Sequence, residues 1–161
     1  MIHPGTEIRA LPTEIAESIA MWWPEWCEQN ELPAADAELL EVACGLSLFV
    51  SQVCQRHPEL VCNLAKASRL QSPLDTHAIE DLAKTLVGQF NSTEELSAGL
   101  RQLRRAVAFV LAVRDLVGLA SLEEITQGMS DLAELATDTA LDYLYQAQCE
   151  ELGTPFNSPK P

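Results

Sequence analysis

The charged residues best placed to do chemistry flank the most apolar segment of the chain. That segment, residues 106–113, reads AVAFVLAV and carries no polar side chain. Guanidinium groups bind carboxylates and phosphates through paired hydrogen bonds, so a group of arginines beside such a segment is a candidate site. The candidate cluster comprises Arg101, Arg104, Arg105, Arg114 and Asp115.

Two roles are open to the three arginines that precede this segment. Between positions 116 and 159 the chain holds eight acidic residues and neither lysine nor arginine, which provides many carboxylate partners. We therefore expect Arg101, Arg104 and Arg105 to pair with acids at the rim of the core, with their aliphatic stems packed inward. Binding to a protein partner or to a phosphate is the alternative.

A second group, Cys54, His57 and Cys62, has residue types that bind zinc. A structural zinc site takes four ligands, usually as two tight pairs, whereas this group offers three ligands with Pro58 between them. Cys54 with His57 could also mimic a nucleophile and its base, but a thiol on an apolar helix is more simply a packed side chain. The sequence therefore predicts no metal site here.

Acidic residues recur on one face of the last predicted helix. Glu134, Asp138 and Asp142 follow each other every four residues, and Asp131 lies one turn earlier. Like charges at this spacing repel each other, so we expect a solvated or arginine-paired face. A docking surface for a basic partner is the alternative.

Motifs for catalysis and cofactor binding are missing from the chain. It has no Gly-rich phosphate loop and no Gly-x-Gly-x-x-Gly pattern. The Glu-x-x-His motif of carboxylate-bridged metal bundles is also missing, because His77 and Glu80 stand in the reverse order. We therefore predict no catalytic, cofactor-binding or metal-ligating residue.

The charge of the chain restricts its partners. Acids outnumber bases 24 to 10, and the net charge of -14 repels nucleic acid and disfavours anionic membrane surfaces. No stretch approaches the roughly 20 apolar residues of a membrane span, and residues 1–10 contain no apolar run typical of a secretory signal. Five cysteines at irregular spacing indicate free, mostly buried thiols. We expect a cytoplasmic protein that binds neither nucleic acid nor membranes.

Composition and periodicity predict an all-α fold, a bundle of about five to six helices. Leucine and alanine dominate a chain that is 47% hydrophobic and poor in glycine. Pro24 should break or kink the first helix. Trp22, Trp23 and Trp26 gather at this point and are expected to anchor it in the core, with an exposed docking patch as the alternative. The shorter helices predicted within 13–90 are 13–30, 33–56, 58–67 and 75–90.

Two long helices end the predicted bundle. Each begins with a capping box, Ser92–Glu95 in one and Ser121–Glu124 in the other, in which the two side chains bond each other's free amides. Their predicted extents are 92–117 and 121–152, and the short connection predicts a long antiparallel helical hairpin. The chain is thus divided into a loose lead-in (1–11), shorter helices (13–90), the hairpin (92–152) and a linker (153–161), all within one helical domain, 1–161.

Two segments resemble bacterial glutamine synthetase adenylyltransferase, a family also called glutamate–ammonia-ligase adenylyltransferase/adenylyl-removing enzyme. One is LRQLRRAVAFVLAVRDLVGLASLEEITQGMSDLAELATDTAL, residues 100–141, followed by GTPFN. The other is LFVSQVCQRHPELVCNL, residues 48–64. The matching positions are Leu100-Arg101, Arg104-Arg105, Arg114-Asp115-Leu116, Gly118, Met129 to Ala133, Gly153-Thr154-Pro155 and His57-Pro58-Glu59. Both segments resemble the helical region that precedes the family's first nucleotidyltransferase domain.

The resemblance implies an enzyme that transfers AMP from ATP to a tyrosine of glutamine synthetase and removes it by phosphorolysis. It implies glutamine synthetase and the PII signalling protein as partners, and ATP and magnesium as cofactors of the full-length parent. The family's Gly-x-Gly-Lys-Leu-Gly-Gly turn and Ser-Asp-x-Asp motif do not occur before Pro161. We therefore expect a non-catalytic fragment that supports the adenylyl-removing domain. The alternative is a stand-alone acidic helical module for protein interaction.

Overall fold

All regular secondary structure in the described part of the chain is helical. The computed structural model describes residues 13–154, apart from the side chain of Glu14, and no strand occurs among them. The all-α fold is confirmed, with more helices than the five to six predicted. The predicted lead-in, 1–11, and residues 155–161 of the predicted linker lie outside the described residues. The helices are α1 (Thr13–Ala20), α2 (Trp23–Gln29), α3 (Ala34–Leu46), α4 (Leu48–Arg56), α5 (Pro58–Lys66), α6 (Thr76–Leu86), α7 (Thr93–Leu116) and α8 (Leu122–Leu152).

Two of the predicted helices are each divided in two. The first breaks between α1 and α2, and Pro24 lies in the first turn of α2, where its missing N–H costs no hydrogen bond. The second breaks at Ser47, whose backbone is extended and whose hydroxyl accepts a hydrogen bond from the Val50 N–H at 3.4 Å. One continuous helix over 33–56 was therefore a wrong prediction, because a serine oxygen competes with the backbone and caps a new helix.

The middle of α7 forms the centre of the core. This helix packs against α3, α4, α5, α6 and α8. A helix that is apolar on every side needs neighbours on every side, as the sequence of 106–113 predicts. Within residues 13–154, no helix has both the length and the apolar character that crossing a membrane requires. The fully or almost fully buried apolar residues of α7 are Leu96, Leu103, Ala106, Val107, Phe109, Val110, Leu111 and Val113.

The tryptophan cluster is part of this core. Trp23 and Trp26 are buried and stack with ring centroids 5.1 Å apart, and Trp22 meets Trp23 edge to face at 5.5 Å. The indole N–H of Trp26 donates a hydrogen bond to the carbonyl oxygen of Cys54 at 2.9 Å, which ties α2 to α4. The interpretation as core anchors is confirmed for the two buried rings.

Contacts between α7 and α8 pair residues late in α7 with residues early in α8. A methyl group built on Gly128 would lie 3.2 Å from Leu111 Cδ1, and Arg114 bonds Glu124. This order is the one that a helical hairpin requires. The antiparallel arrangement over the full length of both helices stays a prediction.

Candidate functional site

Arg114 is the most completely bonded member of the predicted arginine cluster. Its side chain is only 2% exposed, and its Nε and Nη2 donate to the two carboxylate oxygens of Glu124 at 2.7 and 3.0 Å. Nη1 donates to the carbonyl oxygen of Leu70 at 3.3 Å, and Nη2 also donates to that of Leu119 at 3.1 Å. One guanidinium therefore joins α7, the start of α8, the connection between them and the segment before α6. We call this set of contacts the Arg114 junction.

Glu124 reaches this junction because of its place in the first turn of α8. Its backbone N–H donates to the hydroxyl of Ser121 at 3.1 Å, which caps the helix as predicted. Its carboxylate does not return to Ser121, as the predicted capping box requires, but accepts from Arg114 and from the Leu74 N–H at 3.1 Å. That half of the predicted capping box was wrong, because a buried guanidinium is a stronger partner than an amide that water can reach.

The same contacts shift the pKa of the Glu124 carboxyl group. Burial alone acts to raise it. The hydrogen bonds from Arg114 and from the Leu74 N–H, together with the positive charge of Arg114, outweigh burial and hold the pKa below its ordinary value. Glu124 is therefore an ionised partner in a structural contact and not a proton donor poised for catalysis. Acids of the last helix are expected from sequence as arginine partners in general, but no sequence pattern singles out Glu124.

The other capping box is also altered. The N–H of Glu95 donates to the Ser92 hydroxyl at 3.1 Å, which confirms Ser92 as the cap of α7. The Glu95 carboxylate accepts from the backbone N–H of Asn91 at 2.8 Å, one residue before the predicted donor. Glu95 in the first turn of α7 is thus bonded both to the cap residue Ser92 and to Asn91 before it.

The remaining charged residues of the cluster do not join Arg114. Arg101, Arg104 and Asp115 are exposed, and Arg105 is half-buried. Among residues 13–154, none of these three arginines has a carboxylate oxygen within 4.0 Å. The predicted ion pairs at the rim were therefore wrong for these arginines. An exposed pair gains little over hydration, so the acids of α8 have no strong reason to turn toward them.

Arg101 and Arg104 instead lie along an apolar groove between α7 and α8. The groove has a volume of about 500 Å³. Only Gly128 and Leu132 are buried within the whole length of α8, and the other apolar side chains of that helix are half-buried or exposed. Leu144 is 48% exposed at one end of the groove. We call this surface the α7–α8 groove, and its apolar lining consists of Leu96, Leu100, Met129, Leu132, Ala133, Ala136, Ala140 and Leu144.

The acidic face of α8 is solvated, as expected. Glu134, Asp138 and Asp142 are exposed. Asp131 is half-buried and accepts hydrogen bonds from the hydroxyl of Thr76 and the side-chain amide of Gln127, both at 2.6 Å. The first acid of this face therefore links α8 to α6, and the others face water.

The cysteine and histidine group does not converge. The Cys54 thiol is buried 3.6 Å from the Cys44 sulfur, and the Cys62 thiol faces the side-chain oxygen of Asn30 at 3.8 Å. The contact with Cys44, and then burial, raise the pKa of Cys54, so its thiol is not an activated nucleophile. Within residues 13–154, no three His, Cys, Asp or Glu side chains are grouped so that they could hold a metal ion.

His57 lies at a second, polar cavity. Its imidazole is half-buried where α4 meets α5, in a cavity of about 440 Å³ that Arg56, Glu59 and Arg105 also line. Burial lowers the pKa of His57, and the positive charges of Arg105 and Arg56 lower it further. No sequence pattern indicated that Arg56 and Arg105, far apart along the chain, share one cavity.

Comparisons with known proteins identify the family. The family model described as glutamate-ammonia ligase adenylyltransferase matches residues 37–161. The chain is 32% identical over 157 residues to a bifunctional glutamine synthetase adenylyltransferase/adenylyl-removing enzyme of Shewanella loihica, with 93% of this chain covered. An enzyme of the same name from Nitrosococcus oceani is 34% identical over 139 residues and covers 83% of this chain. The chain belongs to the glutamate-ammonia ligase adenylyltransferase family.

The match covers a small part of these relatives. The aligned region spans 16% of the Shewanella loihica enzyme and 14% of the Nitrosococcus oceani enzyme. No solved structure matches the chain.

Proposed function

We propose that this chain is the non-catalytic helical portion of an enzyme that adenylylates and deadenylylates glutamine synthetase, and that it supports the adenylyl-removing domain. The observation that carries this proposal is the family match over residues 37–161. The whole enzyme would act in the cytoplasm on glutamine synthetase, under control of the PII signalling protein. ATP and magnesium would bind outside this segment.

The contacts of the acidic residues on α8 support a non-catalytic role. Nucleotidyl transfer needs carboxylates at fixed positions for metal ions and a backbone turn that cradles phosphates. Here Glu124 is held by Arg114 and Asp131 by Thr76 and Gln127, while the acids beyond them on α8 face water. Within residues 13–154, no three His, Cys, Asp or Glu side chains are grouped so that they could hold a metal ion, and we therefore assign the transfer step to the remainder of the enzyme.

The α7–α8 groove supports a scaffolding role. The Arg114 junction fixes α7 against the start of α8, and an apolar surface continues along both helices beyond it. Apolar patches rimmed by polar residues are typical of interaction sites. Arg101 and Arg104 at the rim favour an occupant that brings carboxylates, and the adenylyl-removing domain of the same enzyme is the occupant we propose.

A chimaeric enzyme tests this role. The matching segment of the Shewanella loihica enzyme would be replaced by this chain. Release of labelled ADP from adenylylated glutamine synthetase and phosphate would then be measured. We expect the chimaera to be active and this chain alone to be inactive. Labelled ADP released by the chain alone would overturn the non-catalytic assignment.

A matched pair of substitutions tests the groove within the chimaera. Leu144→Asp places a charge in the groove, whereas Leu141→Asp places the same charge on an exposed position of α8 outside the lining. We expect only Leu144→Asp to lower adenylyl-removing activity, with both variants of the isolated chain folding normally. Equal activity of the two chimaeras would show that the groove does not contact the catalytic domain.

The stand-alone interaction module remains the second interpretation from sequence. Burial of Trp23 and Trp26 removes one of the two surfaces it would use. Its other surface, the acidic face of α8, is exposed at Glu134, Asp138 and Asp142.

A further inference from the structure

We propose that the polar cavity between the end of α4, the start of α5 and the middle of α7 binds a small oxyanion, either a phosphate-bearing or a carboxylate-bearing molecule. We call it the α5 cavity. Its volume of about 440 Å³ falls within the range of small-molecule sites. The inference goes beyond the proposed function, because it assigns a ligand to the helical segment itself.

Two arginines provide the positive charge of the α5 cavity. Arg56 ends α4, Arg105 belongs to α7, and both line the cavity. Within residues 13–154, neither has a carboxylate oxygen within 4.0 Å, although acids outnumber bases 24 to 10 in the chain. The negative end of the α4 dipole favours a cation at Arg56. Arg105 lies in the middle of α7, where no helix dipole favours its charge. Two arginines that line one cavity, neither of them paired with a described carboxylate, form a receptor for an oxyanion.

The start of α5 adds hydrogen-bond donors to the same cavity. This nine-residue helix begins at Pro58 and has no side-chain cap. Glu59 and Leu60 also line the cavity, and their backbone N–H groups belong to the first turn of α5, where the helix offers no partner. The side-chain amides of Asn63 and Gln102 complete the polar lining and can orient a ligand. The arginines attract the anion, and these uncharged donors can set its orientation.

Glu59 limits the charge of the ligand. Its carboxylate lines the α5 cavity and opposes one of the two guanidinium charges. With His57 neutral, the lining keeps an excess of one positive charge, and protonation of His57 would add another. A small anion fits this balance, whereas a long polyanion such as a nucleic acid would also meet the acidic surface of the chain.

His57 offers a direct readout of binding. The charges of Arg56 and Arg105 help to lower the pKa of its imidazole. An anion seated between the guanidinium groups would offset these charges and raise the pKa of His57. His77 is the internal control, because it is exposed on α6 beside Glu80 and Asp81 and away from the cavity.

The experiment is an NMR titration of the imidazole signals in the full 161-residue chain. Inorganic phosphate is added in one arm and succinate in another, and sodium chloride of equal ionic strength is the reference. We expect at least one of the two anions to raise the pKa of His57 saturably, by about 0.5 unit or more, while the pKa of His77 follows the chloride reference. The arm that saturates identifies the oxyanion.

Substitutions assign the binding to the arginines. Arg105→Gln should weaken the saturable effect about tenfold or more, and Arg56→Gln provides a second variant if the first alters the fold. Lys84→Gln removes one positive charge from α6 outside the cavity lining and should leave the saturable effect on His57 unchanged. The proposal is overturned if neither anion exceeds chloride, if His57 and His77 respond alike, or if both arginine variants bind as the unsubstituted chain does. Because no enzymatic activity is measured, this result is independent of the proposed function.

Discussion

The guanidinium of Arg114 and the carboxylate of Glu124 meet through two parallel hydrogen bonds, from Nε to Oε1 at 2.7 Å and from Nη2 to Oε2 at 3.0 Å. The two residues lie on either side of the turn between α7 and α8, where Gly118 adopts a positive φ of 73°. The turn, the pair and the carbonyl of Leu119 form one unit, because the same Nη2 also donates to that carbonyl. This unit ties the start of α8 to the end of α7.

Loss of the Glu124 charge is the first test of the junction. We expect Glu124→Gln to lower the free energy of unfolding by about 3 kcal/mol, because it leaves a guanidinium that is 2% exposed without its counter-charge. Glu123→Gln is the matched control: it removes an exposed carboxylate from the same turn and should cost less than about 1 kcal/mol. Urea unfolding measures both, and equal losses would contradict the role of the pair.

The same pair makes part of the stability depend on pH. Because the pKa of Glu124 lies below its ordinary value of 4.5 in the folded state, its stabilisation is complete above that value and is lost as the pH falls through the lowered one. The difference in free energy of unfolding between the unsubstituted chain and Glu124→Gln should therefore be constant from about pH 7 to about pH 5.5 and shrink below about pH 4.5. Urea titrations across this range measure it. A difference that persists unchanged in acid would count against an ionised, paired Glu124.

The sequence predicted helices well where one residue type determines the local structure. Ser92 and Ser121 cap α7 and α8 at the predicted positions, because a serine oxygen satisfies a free amide whatever lies around it. Ser47 carries the same signal but lies inside an apolar periodic run, and the periodicity suggested one helix where there are two. Helix boundaries within apolar runs depend on packing that the local pattern does not contain.

The site was harder to predict than the fold. Arg104 and Arg114 look alike in sequence, yet one is exposed on the rim of a groove and the other is buried in the Arg114 junction. The α5 cavity joins Arg56 to Arg105 across nearly fifty positions of sequence. Charge clusters along a sequence therefore predict the presence of charged surfaces, whereas three-dimensional packing decides which side chains meet.

The two long helices approach their neighbours closely at Gly99 and Gly128. A Cβ atom at Gly99 would lie 2.9 Å from the backbone Cα of Val87, whereas one at Gly128 would meet the side chain of Leu111 at 3.2 Å. Backbone atoms cannot move aside as a leucine can, so we expect Gly99→Ala to lower the free energy of unfolding by about 1–3 kcal/mol. Gly128→Ala should cost less, because the gain in helix propensity of about 1 kcal/mol offsets its milder crowding. Thermal unfolding compares them, and a Gly99→Ala variant as stable as the unsubstituted chain would disprove the close approach of α7 to residue 87.

Arg104 tests whether the exposed arginines serve the fold or the surface. Pairing at the rim of the core, expected from sequence, predicts that Arg104→Glu destabilises the chain. The structure predicts a change within about 0.5 kcal/mol, because Arg104 is exposed and no described carboxylate lies within 4.0 Å of it. Arg114→Gln is the comparison, since it leaves Glu124 without its guanidinium and should lower the melting temperature by several degrees. If both variants melted at the same reduced temperature, Arg104 would have to hold a structural contact, and its place at the rim of the α7–α8 groove would no longer argue for a docked domain.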